Sequence, residues 1–144
     1  MLGPAGDQAN DGAIRDLLRR TRRIAVVGLS PKTHRDSNRV ARYLQQQGYE
    51  IVPVYPREET ILGAKVYRRV QEIPGRVDLV DVFRRSSELP GVVDDAIAAH
   101  APALWFQLGC IHEEAARRAV AAGVTVVMDR CLMVDHSRLF GNEA

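Results

Sequence analysis

The apolar positions of this chain change period as it is read from the amino terminus. Ile14, Leu17 and Leu18 recur three and four residues apart, which predicts a short amphipathic helix opened by Asp11. Ile24-Ala25-Val26-Val27 then runs without a polar interruption, the pattern of a strand buried on both faces. After Gly28-Leu29-Ser30-Pro31-Lys32, helical spacing returns at Val40, Tyr43 and Leu44. This predicts a helix from about Ser37 to Gln47, with Asp36-Ser37-Asn38 as N-cap residues and Gly48 just past its end.

Further strands are predicted at Tyr49–Tyr55, Val77–Phe83, Ala103–Leu108 and Val124–Met128. Pro53 removes a ladder donor and places the second strand at or near a sheet edge, or at a bulge. Residues 58–76 read as irregular, with room for one short helix. Leu89, Val92, Val93, Ala96, Ile97 and His100 mark a helix with Pro90 in its tolerated first turn. Another helix covers about His112 to Ala122 and stops at Gly123. The tail beyond Met128 is too short for a further strand-helix unit, and no internal repeat is present.

Five strands alternating with helices make an α/β, Rossmann-like, doubly wound parallel sheet with helices on both faces. The expected strand order is 3-2-1-4-5. Residues 1–10 read as a flexible arm and 11–144 as a single domain, the simplest division of 144 residues. Ligands in such sheets bind beyond the carboxyl ends of the strands, at the point where strand order reverses. That rule selects Gly28–Lys32, Tyr55–Arg57, Phe83–Arg85, Gly109–His112 and Asp129–Cys131. A glycine turn between a buried strand and a helix N-terminus suits an anion, because free N–H groups and the helix dipole both favour negative charge.

Composition narrows the classes. Hydrophobic residues make 46% and charged residues 26%, and Lys+Arg outnumber Asp+Glu only 20 to 18. A net charge of +2 with scattered basic residues does not suggest a nucleic-acid binder. No apolar run reaches the roughly 20 residues that span a bilayer, and no basic leader precedes an apolar stretch, so a cytoplasmic location is the default expectation. Arg19-Arg20-Thr21-Arg22-Arg23 reads as a solvated turn at the end of the first helix.

The loop at Gly28 lacks the second and third glycines of a dinucleotide fingerprint and the Gly-Lys of a P-loop. After the second strand, Arg57 stands where an NAD-binding domain usually carries an acid, although Glu58 and Glu59 follow it. A cation there suits a phosphate on the adenosine ribose, as in coenzyme A or NADP.

Val26-Val27-Gly28-Leu29-Ser30-Pro31-Lys32, Val52-Pro53-Val54-Tyr55-Pro56, Val80-Asp81-Val82-Phe83-Arg84, Gln107-Leu108-Gly109 and Val127-Met128-Asp129-Arg130-Cys131 occur in order along the chain. This series resembles the stand-alone CoA-binding domain proteins, which are similar to the CoA-binding domain of the succinyl-CoA synthetase α subunit. The resemblance spans roughly residues 14–140. It implies that Gly28-Leu29-Ser30-Pro31 holds the CoA diphosphate through backbone N–H groups and the Ser30 hydroxyl, with Lys32 beside it. It implies that Tyr55-Pro56-Arg57 flanks the adenosine, Arg57 meeting the 3′-phosphate, and that Val82-Phe83-Arg84 forms the opposing wall. Ser30 and Lys32 as ordinary turn residues, Phe83 as plain core and Arg57 as a solvated charge remain the competing readings.

Catalysis in the larger synthetases, by the same resemblance, runs through a phosphorylated histidine on a second domain and a nucleotide-grasping partner subunit. His34, His100, His112 and His136 do not match that histidine by position, and no nucleophile–base or carboxylate pair emerges from the spacing. A non-catalytic module is therefore expected, binding coenzyme A or an acyl-CoA as carrier, sensor or partner. A homodimer or an unknown protein partner is compatible with it. The alternatives are an NAD(P)-binding oxidoreductase-type domain and an interaction subunit with a vestigial nucleotide site. Cys110, His112, Asp129 and Cys131 fall at the ends of two strands expected to be adjacent. Free buried cysteine is favoured there over zinc or a disulfide, and a mixed disulfide with the CoA thiol is a further hypothesis.

Overall fold

Five short strands carry almost no polar residue, so each must be covered on both faces, and the chain supplies helices to do it. The structure, a computed structural model, describes residues 11–141; the expected arm at 1–10 lies outside them. Helix α1 (Asp11–Arg20) buries Ile14, Leu17 and Leu18, and β1 (Arg23–Val27) follows. Then come α2 (Asp36–Gln46), β2 (Glu50–Val54), a small hairpin of β3 (Thr60–Ile61) and β4 (Ala64–Lys65), and β5 (Leu79–Val82). The chain continues through α3 (Leu89–Ala98), β6 (Ala103–Phe106), α4 (Glu113–Ala121), β7 (Thr125–Met128) and α5 (Leu132–Phe140).

The main sheet is wholly parallel, in the order β2-β1-β5-β6-β7. Counted along the chain its strands run 2-1-3-4-5, which corrects the expected 3-2-1-4-5. β5 takes the centre, between β1 and β6, and both β5 and β6 are buried at all four positions. Pro53 has no N–H to offer an outer neighbour, so β2 stays at the edge. There the Pro53 carbonyl accepts from Tyr67 N–H at 3.0 Å, and Tyr55 N–H donates back to the Tyr67 carbonyl at 3.0 Å. That single bridge covers the edge without a sixth strand.

Alternation along the strands splits the core in two. Val80 and Val82 face α3 and α4, among Ala25, Leu104, Phe106 and Val126. Leu79 faces the other way, with Ile24, Val26, Trp105 and Val127, against α1, α2 and α5. Direction reverses between β1 and β5, so the open crevice lies at their carboxyl ends.

Three local features differ from expectation. Residues 60–65 form a hairpin whose turn residues Leu62 and Gly63 both have positive φ, 54° and 77°, the geometry of a type I′ turn. The stretch 70–72 is one 3₁₀ turn. The tail folds as α5, which lies against α1 and is held by a buried ion pair, Arg130 Nε to Asp135 Oδ2 at 2.6 Å.

Candidate functional site

Gly28 ends β1 with φ at 84°, a conformation that L side chains rarely adopt. A β-carbon there would stand 2.1 Å from the Phe83 carbonyl oxygen. The exits of the two central strands are thus in backbone contact at the crevice. Gly28 N–H donates across to Val54 at 2.9 Å, and Phe83 N–H donates to Val27 at 2.8 Å.

The loop that leaves Gly28 is held by α2. Asp36, Ser37 and Asn38 are the first three residues of that helix, and Arg35 is its N-cap without a side-chain capping bond. The expected cap residues therefore do something else. Ser37 Oγ accepts from Ser30 N–H at 3.0 Å, and Asn38 Nδ2 donates to the Ser30 carbonyl at 2.8 Å. Ser37 and Asn38 are buried in doing so. Ser30 Oγ in turn accepts from Lys32 N–H at 3.1 Å.

This bonding corrects the picture of a bare N–H cradle at 28–31. The N–H groups of Gly28 and Ser30 are already committed, and Pro31 has none. Leu29 is buried whole, backbone included, and does not line the cleft. The donors open to an anion are the first-turn N–H groups of α2, which a helix leaves unpaired, and the Ser30 hydroxyl.

A cleft of about 700 Å³ opens here, lined by Gly28, Ser30, Lys32, Arg35, Asp36, Ser37, Tyr55, Phe83, Arg84, Arg85, Glu88, Leu108, Gly109 and Cys110. It contains six of the residues assigned to the ligand from sequence, Gly28, Ser30, Lys32, Tyr55, Phe83 and Arg84, and three more from the strand-end selection, Arg85, Gly109 and Cys110. Val82 is fully buried in the core on the α3 side. Pro56 and Arg57 are exposed on the turn after β2, outside the cleft wall. That turn is fixed by Arg68, whose Nη1 donates to the carbonyls of Tyr55, Arg57 and Glu58 at 2.8–3.1 Å. A smaller cavity of about 240 Å³ adjoins the cleft, sharing Arg84 and Glu88 with it and reaching Val54, Arg68 and Arg69.

Sequence reasoning missed Arg35, Glu88 and Leu108 as wall residues, and it gave Ser37 a capping role. Arg35 carried a usable signal, because it directly precedes the helix that follows the glycine loop.

The electrostatics favour an anion. Lys32, Arg35, Arg84 and Arg85 take part in no ion pair among the described residues. Of the two acids in the wall, Asp36 is paired with Arg39, which leaves Glu88 against four cations. A low-dielectric cleft of one sign concentrates an oppositely charged ligand.

The far wall is stitched together. Ser86 Oγ donates to the Gly109 carbonyl at 3.2 Å and accepts from Ile111 N–H at 3.0 Å. Gly109 N–H donates to Asp129 Oδ1 at 2.9 Å. Cys110 Sγ lies 3.2 Å from the Arg84 carbonyl and 3.6 Å from that of Val82, donating to them. Burial pushes the Cys110 thiol above its ordinary value, so it stays a protonated thiol and a poor nucleophile. Cys110 and Cys131 are both free, and no group of three metal-ligating side chains occurs among the described residues. His112 caps α4, its Nδ1 accepting from Ala115 N–H at 3.1 Å. No helix is long and apolar enough to cross a membrane among the described residues.

Comparison with known proteins meets this geometry. A family model described as a CoA-binding domain matches residues 22–137. The chain belongs to the CoA-binding domain family. It is 44% identical over 124 residues to the uncharacterized protein YneT of Bacillus subtilis, covering 86% of this chain and 92% of that one. A solved hypothetical protein from Pyrococcus horikoshii superposes with a TM-score of 0.91 at 40% identity, covering 98% of this chain and 99% of the other. Over 59 residues the chain is 44% identical to the α subunit of an ADP-forming acetate–CoA ligase II from Pyrococcus furiosus, covering 40% of this chain and 13% of that subunit. Family membership supports a CoA-type ligand in general terms.

Proposed function

We propose that this protein binds coenzyme A, free or acylated, in the cleft between the exits of β1 and β5, and acts as a non-catalytic carrier, sensor or partner module. The observation that carries this reading is the charge of that cleft in a chain of the CoA-binding family. Lys32, Arg35, Arg84 and Arg85, which take part in no ion pair among the described residues, line the cleft together with Asp36 and Ser37 of the first turn of α2, and CoA brings a diphosphate and a 3′-phosphate. The diphosphate sits against the Ser30 hydroxyl and the α2 N-terminus, with Lys32 and Arg35 beside it. Arg84, between the cleft and the smaller cavity, is placed to meet a second phosphate. Arg57 stands farther out and serves at most as a rim charge.

Two facts support a binding role without chemistry. The cysteine in the cleft wall is a hydrogen-bonded, protonated thiol, which also weighs against a mixed disulfide with CoA. The carboxyl of Asp81, on the strand beneath the site, is fully buried away from the cleft.

The test is calorimetric titration with CoA, 3′-dephospho-CoA, NAD and NADP in parallel. Tightest binding of CoA, with a loss for dephospho-CoA, is the expected result. Binding of NADP without CoA would move the protein to the oxidoreductase-type reading. Binding of none would favour an interaction subunit.

A further inference from the structure

Three buried side-chain oxygens lack a well-formed hydrogen bond among the described residues: both carboxyl oxygens of Asp81, on which the adjacent Val82 N–H acts only weakly against burial, and Oδ1 of Asn38. Their placement is not scattered. Asp81 alternates with Val80 and Val82, which face α3 and α4, so it lies on the α2 side of the sheet with Leu79. Its neighbours in register, Val26 on β1 and Trp105 on β6, belong to that same side. Asn38 lies in the first turn of α2, one helical turn before the buried Ala41, and is 1% exposed. All three oxygens therefore sit on one face of the sheet, beneath the loop that opens the cleft.

An Asn carbonyl and an ionised carboxylate are both acceptors and cannot satisfy each other, whereas a carboxylic acid is also a donor. Burial is fully consistent with the neutral form: an unpaired charge at this depth would be strongly disfavoured. We infer that Asp81 is held as a carboxylic acid that donates to Asn38 Oδ1, making a buried chain Asp81–Asn38–Ser30 that positions the phosphate loop from below. One proton then removes the mismatch on both residues, and it fixes the Asn38 amide so that Nδ2 points at the Ser30 carbonyl, as observed at 2.8 Å. Asp81 is a positioning residue: it never touches ligand, and it acts through Asn38. Its effect on affinity rests on the CoA reading, whereas its effect on the loop does not.

Two substitutions separate this role from ordinary packing. Asp81→Asn keeps a donor for Asn38, while Asp81→Leu keeps bulk and removes the donor. Asp81→Leu leaves Asn38 Oδ1 buried without its donor, which lowers stability, whereas replacing both residues by apolar ones is closer to neutral. The inference therefore expects Asp81→Leu to lower the unfolding midpoint modestly while Ser30 N–H loses protection from hydrogen exchange by about tenfold beyond that global loss, the usual effect of leaving one buried acceptor unsatisfied. Asp81→Asn should restore that protection. CoA affinity should follow the same order, and Asp81→Leu should have little further effect in an Asn38→Ala background.

The exchange readout needs no ligand, so it stands even if CoA fails to bind the wild type, an outcome that sinks the function and not this inference. Equal Ser30 protection in wild type and Asp81→Leu would overturn it. So would additive losses in the Asp81→Leu/Asn38→Ala pair, or loop protection that falls only as far as global stability does. Should Asp81→Leu not fold, Asp81→Asn and Asn38→Ala carry the comparison: an Asn38→Ala protein with native Ser30 protection would equally overturn it.

Discussion

The α-carbon of Gly28 lies so near Phe83 that a β-carbon on it would stand 2.1 Å from the Phe83 carbonyl oxygen. That contact is with backbone, so no rotamer change relieves it. Gly28 also has φ at 84°, where a side chain adds strain of about 1–3 kcal/mol. Gly28→Ala is expected to lose more than about 3 kcal/mol in chemical denaturation. A loss under about 1 kcal/mol would mean that the two strand exits separate easily.

Ser37 holds the loop from the other side, its Oγ accepting from Ser30 N–H at 3.0 Å. Ser37→Ala leaves that N–H without its partner, at a cost of about 1–3 kcal/mol if it stays buried. A loop freed to turn Ser30 N–H toward the cleft could instead give that donor to a phosphate. The expected outcome is a drop in stability with CoA affinity falling less than about tenfold, read by denaturation and calorimetry on the same samples. Unchanged stability would contradict the brace.

Arg130 and Asp135 form a bidentate pair, at 2.6 and 3.1 Å, with both side chains less than 10% exposed. Removing Arg130 leaves the buried Asp135 only its longer pair with Arg138, at 3.2 Å. Arg130→Met is expected to cost about 3–5 kcal/mol, and the double replacement Arg130→Met with Asp135→Leu clearly less. Arg138 retains Asp11 at 2.8 and 2.9 Å in the double variant, so the tie between α1 and α5 survives. Additive losses from the two single changes would contradict coupling.

Stability should depend on pH with two opposing slopes. The Arg138 guanidinium holds the Asp11 carboxyl below its ordinary value. Burial works to raise Asp78, but the N–H groups of Arg23 and Arg22 and the Arg76 guanidinium outweigh it and leave a net lowering. Stabilisation from these two is complete above the ordinary carboxylate value of about 3.9 and is lost as pH falls through their folded values. Asp81 is the reverse: burial raises it well above that value, so the native state holds a proton the unfolded chain releases. Its contribution is full in acid and declines as pH rises toward the folded value. Denaturation over a pH series should show the neutral-side decline flattened in Asp81→Asn and the acid-side decline weakened in Asp78→Asn. An identical profile in Asp81→Asn would contradict a buried neutral acid.

The central strands and their exits were legible because their signals are local. Ile24–Val27 has no polar interruption and Gly28 ends it, so sequence alone located the crevice and nine of its wall residues. Strand order is not local. Pro53 points to an edge, but nothing in the sequence of β5 separates it from β6, which is equally buried, so its central place shows only in the structure. The 60–65 hairpin escaped notice because Leu62 occupies a left-handed position, φ 54°, where Asn or Gly would have announced the turn. In α5 the buried residues include Asp135 and His136, which hydrophobic periodicity reads as solvent-facing. Ser37 and Asn38 were read as caps because short polar side chains serve caps and loop braces alike. Arg57 follows β2 as a phosphate ligand would, but it is exposed on the turn that Arg68 holds, while Arg84, after β5, lines the cleft.

The most direct measurement is calorimetric titration of CoA into the wild-type protein and into Arg84→Ala, with Arg57→Ala alongside. The account predicts binding to wild type, a loss of about tenfold in Arg84→Ala, as suits one charge-assisted contact, and a change within about threefold in Arg57→Ala. No binding to wild type, or a large loss confined to Arg57→Ala, would contradict it.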